Sequence, residues 1–119
     1  MIVNFKIYEN NDIDSKLFNS IRDNLYNLSK DLINQGADVN TEFFGFTSLL
    51  FYLCKYEFPE KNIIELLINN GAGLTVKNNL GRDIVDMLKI RNLFDFFIEK
   101  YPDKYKEYII NKETEKYNL

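Results

Sequence analysis

The sequence predicts an all-α fold in which helix-turn-helix units stack side by side into a solenoid. Three observations support this prediction. The nine letters LINQGADVN at 32–40 return as LINNGAGLT at 67–75. Apolar residues before both copies recur at intervals of three and four, which is the spacing of one helical face. A glycine ends each apolar run, as glycine often does just past the end of a helix. Repetition of one unit is typical of stacked repeat proteins.

The first unit is predicted over about residues 14–41. Asp23-Asn24 interrupts its apolar pattern, and both side chains tend to bond their own backbone in turns. We therefore expect two helices with a break there, Asp14 as the N-cap of the first and Gly36 as the stop of the second. The apolar positions that define the helical face are Leu17, Phe18, Ile21, Leu25, Leu28, Leu32 and Ile33.

The second and third units are predicted over about 42–77 and 78–101. Each opens with a loop glycine, Gly45 or Gly81, and a capping residue two positions later, Thr47 or Asp83. Within the second unit, Pro59 marks the first turn of its second helix because proline is tolerated there. That helix carries Ile63, Ile64, Leu67 and Ile68 and is expected to stop at Gly71.

The flanks of these units have weaker patterns. Residues 1–13 form a lead segment that is either a short strand or an extended stretch packed on the first helix pair. Residues 102–119 are predicted to form an extra C-terminal helix, beginning at Pro102, followed by a polar tail. The helix is expected to seal the end of the stack with one face, formed by Tyr101, Tyr105, Tyr108 and Ile109.

This unit resembles the ankyrin repeat. GADVN at Gly36–Asn40 matches the usual ending of that repeat, and GFTSLL at Gly45–Leu50 is similar to its G-x-T-P-L-H opening. The resemblance covers about residues 14–100 as three degenerate repeats, and it implies an ankyrin-like α-solenoid whose helix pairs are joined by β-turn fingers. The alternative is a helical bundle that carries two glycine-stopped helices.

The sequence departs from the ankyrin pattern in the second unit. Ser48 and Leu50 replace the proline and histidine of the opening, so the loop hydrogen bonds of that histidine are lost. Tyr52 and Leu53 stand where the family has small alanines. Tyr56–Pro59 lengthens the turn between the two helices by about three residues.

Catalysis is not expected from this composition. The chain has no histidine, which removes Ser-His and Cys-His pairs and the usual metal imidazole. Its single cysteine, Cys54, excludes an internal disulfide and is interpreted as a structural thiol. The acidic segment at 9–16 lacks the glycine and distal glutamate of a calcium loop, so turn formation and helix capping explain it better. We expect no metal and no cofactor.

Charge and hydropathy restrict the partners. A net charge of −3 and a pI near 5.0 argue against nucleic acid and slightly favour a basic partner surface. No apolar run reaches the length that spans a bilayer, and the first residues lack a signal peptide's apolar region, so a cytoplasmic location is expected.

The ankyrin resemblance implies that the chain binds another protein through its loop tips and the exposed side of the first helix in each pair. The three phenylalanine rings of FFGF are the strongest indication of a binding surface, because aromatic residues anchor many interfaces. The sequence leaves open whether two of the rings are exposed to solvent or whether at least one folds back onto the helices. The narrower alternative is an inhibitor or immunity protein that blocks a toxin or enzyme, and the competing class is an enzyme with a cysteine- or carboxylate-based site on a helical bundle. Self-association is one way in which leftover aromatic surface would be covered. The predicted partner-binding residues are Phe43, Phe44, Phe46, Lys55, Lys77, Asn79, Leu80, Arg82 and Arg91.

Overall fold

A computed structural model describes residues 13–116, so nearly all of the predicted lead segment and the last three residues of the predicted tail lie outside the described part. Within residues 13–116 all regular secondary structure is helical, apart from one isolated bridge between Phe43 and Phe46, which confirms the all-α class. The helices are α1 (13–22), α2 (Tyr26–Asn34), α3 (Ser48–Lys55), α4 (Lys61–Asn69), α5 (Ile84–Ile90), α6 (Phe94–Lys100) and α7 (Pro102–Lys116).

The predicted glycine stops are confirmed at the ends of α2 and α4. Gly36 and Gly71 have φ of +103° and +90°, a left-handed conformation that glycine adopts without a Cβ clash. At each stop the glycine N–H and the following alanine N–H donate to carbonyls of the last helical turn, which satisfies groups that a helix end leaves without partners. The two copies of the repeated segment therefore end their helices with the same backbone geometry.

Asparagine ends α1 and α5 in the same way. Asn24 and Asn92 have φ of +64° and +61°, and each is followed by a leucine whose N–H donates to a carbonyl five residues back. The break predicted at Asp23-Asn24 is thus confirmed. The equivalent break at Asn92 was not predicted, because a lone asparagine within an apolar rhythm is a weak signal.

Two predicted N-caps are confirmed and one is wrong. The Thr47 hydroxyl accepts from the Leu50 N–H at the start of α3, and Asp83 forms a reciprocal capping box with Asp86 at the start of α5. Asp14, by contrast, lies inside α1. Its carboxylate accepts from the Asp38 N–H and from the Thr41 hydroxyl, so it ties α1 to a distant loop.

The core forms where the helices pack against one another. Helix α2 packs against α4, and α3 packs against α5; α6 then contacts both α5 and α7. The largest side chains that are almost completely buried come from most of these helices. They are Tyr52, Phe97, Leu17, Ile21, Leu49, Leu50, Leu53, Ile63, Ile64, Leu67, Ile68 and Ile84.

Tyr52 anchors the turn between α3 and α4. Its side chain is fully buried, and its hydroxyl donates to Asn24 Oδ1 and accepts from the Glu60 N–H at 2.9 Å. Tyr56 reaches back in a similar way and donates to the Arg22 carbonyl at 2.7 Å. These hydrogen bonds tie the turn between α3 and α4 to the turn that follows α1.

Helix α7 is fastened to the start of α5. Tyr108 donates to Asp83 Oδ2 at 2.7 Å, and Lys112 Nζ lies 3.2 Å from the same oxygen. Tyr101 and Tyr108 are buried, as predicted for the sealing face, but Ile109 is 39% exposed, so placing it on that face was wrong. Lys112 takes part in the contact instead, because the face continues at four-residue spacing.

Candidate functional site

Two loops between helix pairs form fingers. In the first, residues 43–46, the backbones of Phe43 and Phe46 exchange two hydrogen bonds, and Phe44 and Gly45 both have positive φ. This is the geometry of a type I′ turn, which glycine at its second central position favours. In the second finger, residues 78–82, Asn78 Oδ1 accepts from two backbone N–H groups and fixes the loop.

The three phenylalanines of the first finger have different environments. Phe44 is 94% exposed at the tip of the turn. Phe43 and Phe46 are half-buried and fold back, with ring centroids 5.1 Å from Phe18 and 5.7 Å from Phe51, respectively. One ring of the three therefore stands fully at solvent, because the two bridged positions of the hairpin face the helices.

The fingers present apolar side chains at equivalent positions. Phe44 and Leu80, which is 70% exposed, each come directly before a glycine with positive φ. Full burial of an apolar side chain of this size is favourable by about 1.5–3 kcal/mol of free energy. The tips are therefore suited to contact with another surface.

A groove of roughly 300 Å³ lies between the fingers and the helices α3 and α5. Five of the nine predicted binding residues contribute to it, together with three that were not predicted: Cys54, Asn78 and Met87. An asparagine two positions before Leu80 is a turn signal that would have pointed to Asn78, whereas nothing in the local pattern indicates Met87. The lining residues are Phe46, Cys54, Asn78, Asn79, Leu80, Arg82, Met87 and Arg91.

Both charged residues of the groove lining are arginines. The half-buried Arg91 donates from Nε to the Leu53 carbonyl at 2.8 Å and from Nη2 to the Cys54 carbonyl at 3.0 Å. These contacts stabilise the last turn of α3, since cations interact favourably with the carbonyl end of a helix. Arg82 is exposed, and its guanidinium has no hydrogen-bond or ion-pair partner within residues 13–116.

The two carboxylates that follow Arg82 within four positions are engaged elsewhere. Asp83 is fully buried; burial would raise its pKa, but hydrogen bonds from the Asp86 backbone, Tyr108 and Lys112 together hold the pKa below its ordinary value. Asp86 Oδ2 accepts from the Asp83 N–H. Neither carboxylate pairs with the guanidinium of Arg82, so neither compensates its positive charge.

The remaining predicted residues do not line the groove. Lys55 Nζ donates to the Arg22 carbonyl and lies 5.1 Å from the centre of the Tyr56 ring. Lys77 is exposed just before the second finger. Phe43 and Phe44 belong to the first finger but do not contribute to the groove lining.

Cys54 is half-buried in the groove, where its sulfur accepts a weak hydrogen bond from Asn78 Nδ2 at 3.8 Å. Over residues 13–116, no three or more His, Cys, Asp and Glu side chains are grouped so that they could hold a metal ion. In the same range, no helix is both long and apolar enough to cross a membrane.

No family model matches this chain, and neither a curated protein nor a solved structure matches it. The resemblance to ankyrin repeats therefore remains a prediction.

Proposed function

We propose that the chain is a short ankyrin-like solenoid that binds another protein, without catalysis, through the tips of its two fingers and the groove beside them. The observation that carries this proposal is the pair of exposed apolar side chains at equivalent tips, Phe44 and Leu80. A partner that covers both removes apolar surface from water.

The packing order supports the solenoid. First helices meet first helices, as α3 packs on α5, and second helices meet second helices, as α2 packs on α4. Further contacts continue the second row: Lys100 pairs with Glu65 at 2.9 Å, and Tyr101 donates to Asn69 at 2.8 Å. Each pair therefore rests on the next.

A side-chain bridge also links successive loop regions. Asn40, which closes the GADVN segment, donates from Nδ2 to the Gly71 carbonyl at 3.0 Å and accepts from the Gly73 N–H at 2.8 Å. The ending of the first unit is thus bonded directly to the ending of the second. This contact favours a regular stack over a bundle that happens to contain two glycine stops.

The test compares two variants of similar chemistry. F44S/L80S removes both tips, whereas F58S removes a side chain that is 86% exposed but lies in the turn between α3 and α4. Partner capture from an extract of the native source, followed by titration of the purified partner, should show at least about a hundredfold weaker binding for F44S/L80S and wild-type binding for F58S.

Both variants should keep the wild-type helical circular dichroism and melting temperature, because exposed substitutions usually change stability by less than about 0.5 kcal/mol. Undiminished capture by F44S/L80S, or loss confined to F58S, would contradict the proposed binding surface.

A further inference from the structure

The groove has a local charge opposite to that of the chain. The net charge of −3 favours a basic partner surface overall, yet the groove lining contains Arg82 and Arg91 and no carboxylate. The apolar side chains of Leu80 and Met87 line the same groove. A ligand that fits this lining carries a negative group next to an apolar side chain.

Neither guanidinium is neutralised by the chain itself. Arg91 is held by two backbone carbonyls, which orient the group but leave its full positive charge in place. Arg82 has no side-chain partner in the part of the chain that the structure describes. A planar guanidinium binds a carboxylate with two parallel hydrogen bonds, and such charge-assisted bonds are stronger than neutral ones.

We infer that the partner presents an acidic peptide segment, with an Asp or Glu that pairs with Arg82 and an adjacent aliphatic or aromatic residue that enters the groove between Leu80 and Met87. This inference rests on the proposed function and adds the chemistry of the partner. A peptide fits better than nucleic acid, because two arginines in a groove of roughly 300 Å³ do not form the extended basic track that follows a phosphate backbone.

The test uses a random library of twelve-residue peptides displayed on phage and selected on the full-length wild-type chain. Enriched peptides should carry Asp or Glu next to Leu, Ile or Phe. Synthetic copies should bind R82E at least about tenfold more weakly than wild type, because the variant replaces attraction with like-charge repulsion. K30E, which makes the same charge change on the exposed side of α2, should bind as wild type does.

A carboxylate-to-amide change in the peptide should weaken binding to wild type and strengthen binding to R82E, because the amide removes the like-charge repulsion. Enriched peptides without acidic residues, equal affinity for R82E and wild type, or no enrichment at all would overturn the inference. Retention of a labelled single-stranded oligonucleotide by wild type but not by R82E would also overturn it, in favour of a nucleic-acid ligand.

The two levels of the proposal fail separately. Peptides that lose affinity for F44S/L80S but not for R82E would leave binding through the tips intact and remove the acidic-peptide inference. Peptides that depend on Arg82 and bind F44S/L80S with wild-type affinity would keep the acidic contact at Arg82, and would remove both binding through the tips and the apolar contact at Leu80. Circular dichroism of each variant confirms that the fold is retained before binding is compared.

Discussion

Replacement of Tyr52 by phenylalanine tests whether one hydroxyl fastens three segments of the chain together. Tyr52 is fully buried, and its hydroxyl joins Asn24 in the first turn to the Glu60 N–H that precedes α4. Y52F keeps the ring and removes only the oxygen, so little cavity is created. The main effect is that the Asn24 Oδ1 and the Glu60 N–H lose their partner.

The expected cost is about 1–3 kcal/mol, because two hydrogen bonds are lost and each typically contributes about 0.5–1.5 kcal/mol. For a chain of this length that corresponds to a fall in melting temperature of roughly 4–12 °C. Urea unfolding followed by circular dichroism measures the free energy of unfolding. The m-value should stay at its wild-type value, because the change should not alter the surface exposed on unfolding.

The matched control is Y105F. Tyr105 is half-buried and contacts the rings of Phe94, Phe97 and Tyr108, and its hydroxyl has no hydrogen-bond partner within residues 13–116. This change should alter the free energy of unfolding by less than about 0.5 kcal/mol. Equal effects of Y52F and Y105F would refute the role assigned to the Tyr52 hydroxyl.

The pH dependence gives a second readout of Tyr52. Burial raises the pKa of Tyr52 to about 12, whereas an unfolded tyrosine titrates near 10. Its contribution to stability is therefore complete below pH 10 and is lost as the pH rises from about 10 to 12. Y52F should show a smaller loss of stability than wild type across this interval, and an unchanged alkaline slope would contradict the assignment.

Three further predictions concern the helix end, the bridge between units and the fastening of α7. G71A should lower the free energy of unfolding by about 1–2 kcal/mol. The cost should come from the left-handed backbone alone, since an added Cβ at Gly71 meets no atom within 4 Å. Urea denaturation measures the free energy of unfolding, and an unchanged value would contradict this prediction. N40A should cost about 1 kcal/mol and speed amide exchange at Gly73, and unchanged exchange there would argue against the bridge. D83N should cost about 1–3 kcal/mol at pH 7. Because the pKa of Asp83 is lowered in the folded chain, its carboxylate adds stability that is present above pH 4 and lost as the pH falls further. The free energy of unfolding of D83N should therefore fall less steeply with acid than that of wild type. Equal slopes for the two proteins would contradict this prediction.

Local signals in the sequence were sufficient for much of the fold. Gly36 and Gly71 were predicted as helix stops because few other residues adopt positive φ easily, and Thr47 and Asp83 were predicted as caps because their oxygens act within three residues. Asp14 was predicted wrongly because its partners lie 24 and 27 residues away. Spacing within a helix carries no information about such contacts.

The candidate site was harder to predict because the direction of a side chain depends on tertiary packing. FFGF shows an aromatic cluster, but only the hairpin geometry decides that Phe44 stands at the tip while Phe43 and Phe46 pack inward. Arg91 was predicted as a partner-binding residue, and its spacing gave no sign that its guanidinium also supports the end of α3. The groove itself forms only when the second finger lies beside α3, a relation that involves residues far apart in the chain.

Hydrogen exchange of the chain with and without its captured partner tests the binding surface most directly. We expect slower amide exchange on binding at residues 43–46 and 78–82, together with the facing ends of α3 and α5, and no change at residues 56–60. Protection confined to the turns at the opposite ends of the helices, with the two fingers exchanging as in the free chain, would contradict the account.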